Sequence, residues 1–111
     1  MNKTCLVLEG GAMRGMYTAG VLDTLMQNNI KFDAIIGVSA GALFGINYKS
    51  NQKGRAYRYN MRYINDKEYI GLYSYLTTGN IMNKNFCFDK LVNELDKFDY
   101  QAFKNNKTKF Y

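Results

Sequence analysis

The sequence contains no histidine and no proline, and only two cysteines. Without histidine, neither a Ser-His-Asp triad nor an imidazole-based zinc site can be assembled within this segment. Without proline there is no stiff linker, and no internal repeat or low-complexity tract divides the chain. Cys5 lies in an apolar run and Cys87 between Phe86 and Phe88. Both read as small buried hydrophobes in a reducing, cytoplasmic setting, not as a disulfide framework or metal site. Neither a metal nor a cofactor is therefore expected. Long apolar runs are also missing: Cys5 to Leu8 is the only one near the N-terminus. It is far too short for a secretory leader or a membrane span.

What is present is a chain of 111 residues with 47% hydrophobic content, enough for one domain with a modest core. The net charge of +6 is local. Between Lys49 and Lys67 six bases face a single acid, Asp66. A helix over 55–65 places Arg55, Arg58 and Arg62 along one side, which is expected to make peripheral contact with anionic membrane. Tyrosines interleave with these bases from Tyr57 to Tyr75. The alternative to an enzyme is therefore a non-catalytic module over 49–75 that binds anionic lipid, or single-stranded nucleic acid by charge and stacking. A solvated helix is the commoner use of such a pattern, and no nucleic acid is expected.

The period of the apolar residues changes along the chain. Thr4 to Leu8 reads as a buried strand, and Thr18, Val21, Leu22, Leu25 and Met26 form a helical stripe that stops at Asn28 and Asn29. A second strand is expected over Ala34 to Val38, a buried helix over Ala40 to Tyr48, and another helix from Phe88 to about Asp96. Tyr69 to Asn80 reads as loop or lid. Thr108 to Tyr111 is β-prone. Strand, glycine loop, helix and strand in this order predict a right-handed βαβ unit with parallel strands, hence an α/β protein.

Gly37, Val38, Ser39, Ala40 and Gly41 form a G-x-S-x-G pentapeptide between the second strand and the helix after it. This is the layout of a nucleophile elbow, in which a sharp strand-to-helix turn lifts a serine hydroxyl into a crevice. The turn is tight enough that a Cβ at either glycine would meet the crossing backbone. The helix that follows directs unpaired N–H groups toward the site where charge would develop.

Parallel strands bring their C-terminal loops to one sheet edge, so Gly10, Gly11, Ala12, Met13, Arg14 and Gly15 should face the same crevice as Ser39. Backbone N–H groups of such a loop can form an oxyanion hole, with Arg14 bracing it or adding positive potential. Phosphate-loop and dinucleotide readings fail on their own requirements. Met16 and Tyr17 stand where lysine and a hydroxyl are needed, and Ala12 replaces the second glycine of G-x-G-x-x-G.

The run from Glu9 to Gly15, a helix, and then Gly37 to Gly41 together resemble the start of a patatin-like phospholipase of the bacterial branch. The likeness is specific from about Thr4 to Tyr48 and general beyond. It implies a parallel-sheet, three-layer patatin-like fold and a lipid or phospholipid ester substrate. Ser39 matches the nucleophile, while Gly10, Gly11, Ala12, Arg14 and Gly15 match the oxyanion-hole motif. The family uses a Ser-Asp dyad whose aspartate is followed by glycine. None of Asp23, Asp33, Asp66, Asp89, Asp96 or Asp99 is. Residues 1–111 are thus expected to be the N-terminal part of a single such domain, ending before the catalytic aspartate.

Overall fold

The computed structural model describes residues 2–111. Its elements are β1 (Cys5–Leu8), a 3-10 turn (Ala12–Arg14), α1 (Gly15–Gln27), β2 (Ala34–Gly37), α2 (Ala40–Lys49), α3 (Arg55–Tyr63), α4 (Leu72–Thr78), a π-helix (Phe86–Leu95), α5 (Tyr100–Asn105) and β3 (Lys109–Phe110). They form two compact units, one of residues 2–57 and 99–111, the other of residues 58–98.

The first unit is an α/β layer arrangement around a three-stranded parallel sheet in the order β1-β2-β3. Leu6 is in register with Ile35, and Ile35 with Phe110. Asp33 fixes that register at the strand starts. Its carboxylate accepts from the Thr4 backbone N–H at 2.7 Å and from the Thr4 hydroxyl at 3.3 Å, while Asp33 N–H donates to Thr4 O at 3.0 Å. β3 is delivered to β2 by two side chains: Thr108 Oγ1 donates to Phe32 O at 3.0 Å, and Asn106 Nδ2 to Lys49 O at 2.9 Å. Lys49 Nζ also lies 4.2 Å from the centre of the Phe103 ring, a cation–π contact.

The core of this unit is Leu8, Ala19, Leu22, Ile35, Ala40, Phe44 and Tyr48. α2 packs on the sheet face that carries Leu8 and Phe110, since a Cβ on Gly45 would stand 2.8 Å from Leu8 Cδ1 and 3.1 Å from Phe110 Cε2. Val7 and its register partner Ile36, on the other face, are 67% and 40% exposed. The expectation that Thr4 to Leu8 is a buried strand is therefore corrected: among the described residues this sheet is covered on one face. Cys5 is exposed for the same reason, contrary to its reading as a buried hydrophobe.

α1 ends where the two asparagines predict. Asn29 takes the left-handed conformation, φ 55°, and Ile30 N–H returns to Leu25 O at 3.0 Å, satisfying a carbonyl of the last turn. α2 ends the same way at Asn51, φ 57°, with Gln52 N–H donating to Asn47 O at 2.8 Å.

The second unit packs Tyr59, Tyr69, Phe86, Cys87 and Leu91 into a small aromatic core. Tyr63 meets Phe86 edge-on with ring centres 5.4 Å apart, and the buried Tyr69 hydroxyl donates to Asn60 Oδ1 at 2.8 Å. Tyr69 to Asn80 is not simply loop. Leu72–Thr78 is helical and closes on Gly79, whose φ of 76° supplies the left-handed cap.

The basic helix is the main correction. In α3 the buried positions are Arg55, Ala56, Tyr59 and Asn60. Arg55 is 2% exposed and donates from Nη1 to Asn47 Oδ1 at 2.8 Å. Arg58 pairs bidentately with Asp96 at 2.6 and 2.8 Å. Arg58 and Arg62 are both exposed, and Arg62 makes no ion pair among the described residues. Arg55, Arg58 and Arg62 stand at i, i+3 and i+7, positions on one side of a helix. At Arg55 the neighbours Ala56 and Tyr59 turn that edge inward instead.

Candidate active site

β1 and β2 end side by side. Val38 N–H donates to Leu8 O at 3.0 Å, one step beyond the last strand pair, so the loops leaving both strands start at one edge. At that edge the chain turns from β2 into α2 through Ser39, whose φ of 53° and ψ of −122° lie outside the regions open to ordinary L residues. The two flanking glycines make the turn possible. A Cβ on Gly37 would sit 2.6 Å from Ala42 Cα, and one on Gly41 would sit 2.4 Å from Leu8 O, both on backbone that cannot yield.

This backbone keeps the serine from its usual duty. A serine at a helix N-cap ordinarily accepts a hydrogen bond from the second or third N–H of the helix. Ser39 makes no such bond, is exposed, and has no hydrogen-bond partner for Oγ among the described residues. Gly41 N–H is taken by Val38 O at 2.9 Å, and Ala42 and Leu43 N–H by Ser39 O at 3.0 and 3.1 Å. The Ala40 N–H, next to the serine, makes no hydrogen bond among the described residues.

The glycine loop lies against this turn. A Cβ on Gly10 would be 3.0 Å from Ser39 Cβ and 3.2 Å from Val38 O. The N–H groups of Gly10, Gly11 and Ala12 have no acceptor among the described residues. Ala12 holds a positive φ, 48°, where the loop enters its 3-10 turn. Arg14 is exposed and folds back on Gly11, with Nε 3.5 Å and Nη2 3.6 Å from where a Gly11 Cβ would stand. Gly15 does something else. As the first residue of α1 it is buried, and a Cβ there would lie 2.5 Å from Phe44 Cε2 and 3.2 Å from Ala40 Cβ. It seats α1 on the start of α2, a contact with Phe44 that no spacing in the sequence announces.

All six aspartates have hydrogen-bond partners other than Ser39. Asp23 accepts from Gly54 N–H at 2.9 Å, Asp33 clamps Thr4, and Asp66 accepts from Glu68 N–H at 2.8 Å. Asp89 accepts from Asn93 at 2.8 Å, Asp96 holds Arg58, and Asp99 caps α5 through Ala102 N–H at 2.9 Å. None of them approaches the hydroxyl by a hydrogen bond.

A parallel sheet, a strained serine at a strand-to-helix turn and a glycine loop laid over it make this an α/β protein with the layout of a nucleophile elbow. The family model of patatin-like phospholipases matches residues 6–110. An uncharacterized Escherichia coli (strain K12) protein, YjjU, is 33% identical over 95 residues, which are 85% of this chain and 27% of that protein. No solved structure matches the chain. The chain belongs to the patatin-like phospholipase family, a family of lipid acyl hydrolases, and it spans about a quarter of the length of that curated relative. No described helix is long and apolar enough to cross a membrane.

Proposed function

We propose that this chain carries the nucleophile and the oxyanion hole of a serine hydrolase that cleaves lipid acyl esters. The observation that carries the reading is the backbone of Ser39, which holds an unbonded hydroxyl clear of the helix it caps. In the first step Ser39 Oγ bonds to the ester carbonyl carbon and its proton passes to a carboxylate. The carbonyl oxygen, now anionic, accepts from N–H groups of the Gly10 to Ala12 loop and of Ala40. The alcohol then leaves with the proton, and water releases the acyl group.

The base is read as the aspartate that the family resemblance implies; none of the six in residues 1–111 is followed by glycine, and each has a hydrogen-bond partner other than Ser39. A carboxylate at its ordinary pKa is a weak base, and desolvation in a lipid-lined crevice raises it toward neutrality. Residues 1–111 are accordingly read as the N-terminal part of a single catalytic domain. Arg14, exposed beside Gly11, adds positive potential at the oxyanion.

The test uses the whole protein and a fluorophosphonate probe. Ser39 should be labelled, and Ser39→Ala should lose both labelling and hydrolysis of a p-nitrophenyl ester. Hydrolysis unchanged in that variant would refute the reading.

A further inference from the structure

Residues 69–83 contain no charged side chain, and α4 at their centre is built inside out for water. Leu72 and Leu76, one turn apart, are 72% and 73% exposed, and Ile81 beyond them is 63% exposed. The one buried side chain of α4 is a serine, Ser74. A helix on a water-facing surface has the opposite arrangement, apolar residues inward and polar ones outward.

The serine and threonine hydroxyls of the segment are spent on its own backbone. Ser74 Oγ donates to Asn80 O at 2.8 Å, Thr77 Oγ1 to Tyr73 O at 2.8 Å, and Thr78 Oγ1 to Ser74 O at 2.7 Å. Gly71 N–H donates to Ile81 O at 2.8 Å, and Asn80 Nδ2 to Thr78 O at 3.3 Å. Hydroxyl donors satisfied internally are what entry into a water-poor phase requires, because each unsatisfied one costs free energy there. Tyr73 and Tyr75 stay about half exposed, and tyrosine is the residue that suits the headgroup level.

The rim is charged. Lys67 and Lys84 flank the segment, are exposed and make no ion pair among the described residues, while Glu68 is held by Lys90 at 2.9 Å. Lys67 and Lys84 bracket the uncharged segment in the sequence, and such cations complement lipid phosphates. We propose that α4, with Leu72, Leu76 and Ile81, inserts into a phospholipid surface while Lys67 and Lys84 contact its phosphates. This places membrane contact on α4 and not on the arginines of α3, and it does not depend on Ser39 being the nucleophile.

Residues 1–111 contain no tryptophan, so in the whole protein Leu76→Trp adds a reporter on α4, read as the difference from the same protein without it. It is measured in the Ser39→Ala background, where no lipid is consumed and failure of the catalytic reading cannot disturb the result. On adding vesicles of equimolar phosphatidylcholine and phosphatidylglycerol, the emission should shift to the blue and be quenched by lipids brominated in the acyl chain. Leu72→Asp should weaken vesicle binding by about tenfold or more, with an unchanged circular dichroism spectrum. An emission that vesicles neither shift nor quench overturns the proposal. So does a blue shift that follows protein concentration without lipid, which would mean that a second copy covers the face. If Leu72→Asp fails to fold, the quenching of Leu76→Trp decides alone.

Discussion

Gly10 passes so close to Ser39 that a Cβ on the glycine would stand 3.0 Å from that of the serine and 3.2 Å from Val38 O. The next residue is different: a Cβ on Gly11 would have ordinary contacts, at 3.5 to 3.6 Å, with the flexible side chain of Arg14. Gly10→Ala should therefore push the loop off the turn by a few tenths of an ångström and lower kcat of the whole enzyme on a soluble ester by about tenfold to a hundredfold. Gly11→Ala should keep most of the rate. Steady-state kinetics on the two variants checks this, and an equal loss in both would contradict it.

Ala12 sits at φ 48°, a conformation that costs an L residue about 1 to 2 kcal/mol and glycine little. Against the extra chain entropy of glycine in the unfolded state, Ala12→Gly should gain up to about 1 kcal/mol. Urea denaturation measures it. A destabilised Ala12→Gly would show that the loop is held by something other than its backbone preference.

Arg55 and Arg62 lie on one helix and differ in burial, the first 2% exposed and bonded to Asn47, the second on the surface. Arg55→Ala leaves buried Asn47 without that donor and opens a cavity, so it should cost about 3 kcal/mol or more. Arg62→Ala should change stability by no more than about 0.5 kcal/mol. Similar values for both, read from chemical denaturation, would place Arg55 at the surface after all.

The two thiols should behave oppositely. Cys87 is buried, and desolvation pushes its pKa from 9.0 up to about 11, whereas Cys5 is exposed. In native protein a thiol reagent should modify Cys5 first and Cys87 only after denaturation, which mass spectrometry can follow. The pH dependence has a definite sign. The unfolded thiol loses its proton near 9 and the folded one only near 11, so between these values the unfolded state is the more deprotonated and stability falls as pH rises. Cys87→Ala should flatten that decline.

The elbow and the glycine loop are legible in the sequence because their demands are local. Glycine at 37 and 41 reflects backbone approaching within 2.6 Å of where a Cβ would go, and no other residue meets that demand. The strand and helix periods on either side are local as well. They led to β1, α1, β2 and α2 within a residue or so of their ends. The π-helix begins two residues before the helix expected at Phe88, because Phe86 and Cys87 join its buried side.

Which face of α3 turns inward was not local. Its charges invite a solvated stripe, yet Asn47, eight residues earlier on α2, offers Arg55 a buried acceptor, and Asp96, thirty-eight residues on, takes Arg58. The exposure of Cys5 and Val7 was equally out of reach, since hydropathy reports that a strand is apolar and not whether both of its faces are covered. The helical form of Leu72–Thr78 depends on bonds from Ser74 to Asn80 and from Gly71 to Ile81 that no period encodes. Sequence by itself determined the parts whose geometry is dictated by adjacent backbone, namely the strained serine and the glycines around it. Tertiary structure alone decided which cations remain free, which apolar side chains face outward and which aspartates are already bound, because each of those depends on a partner brought from elsewhere in the chain.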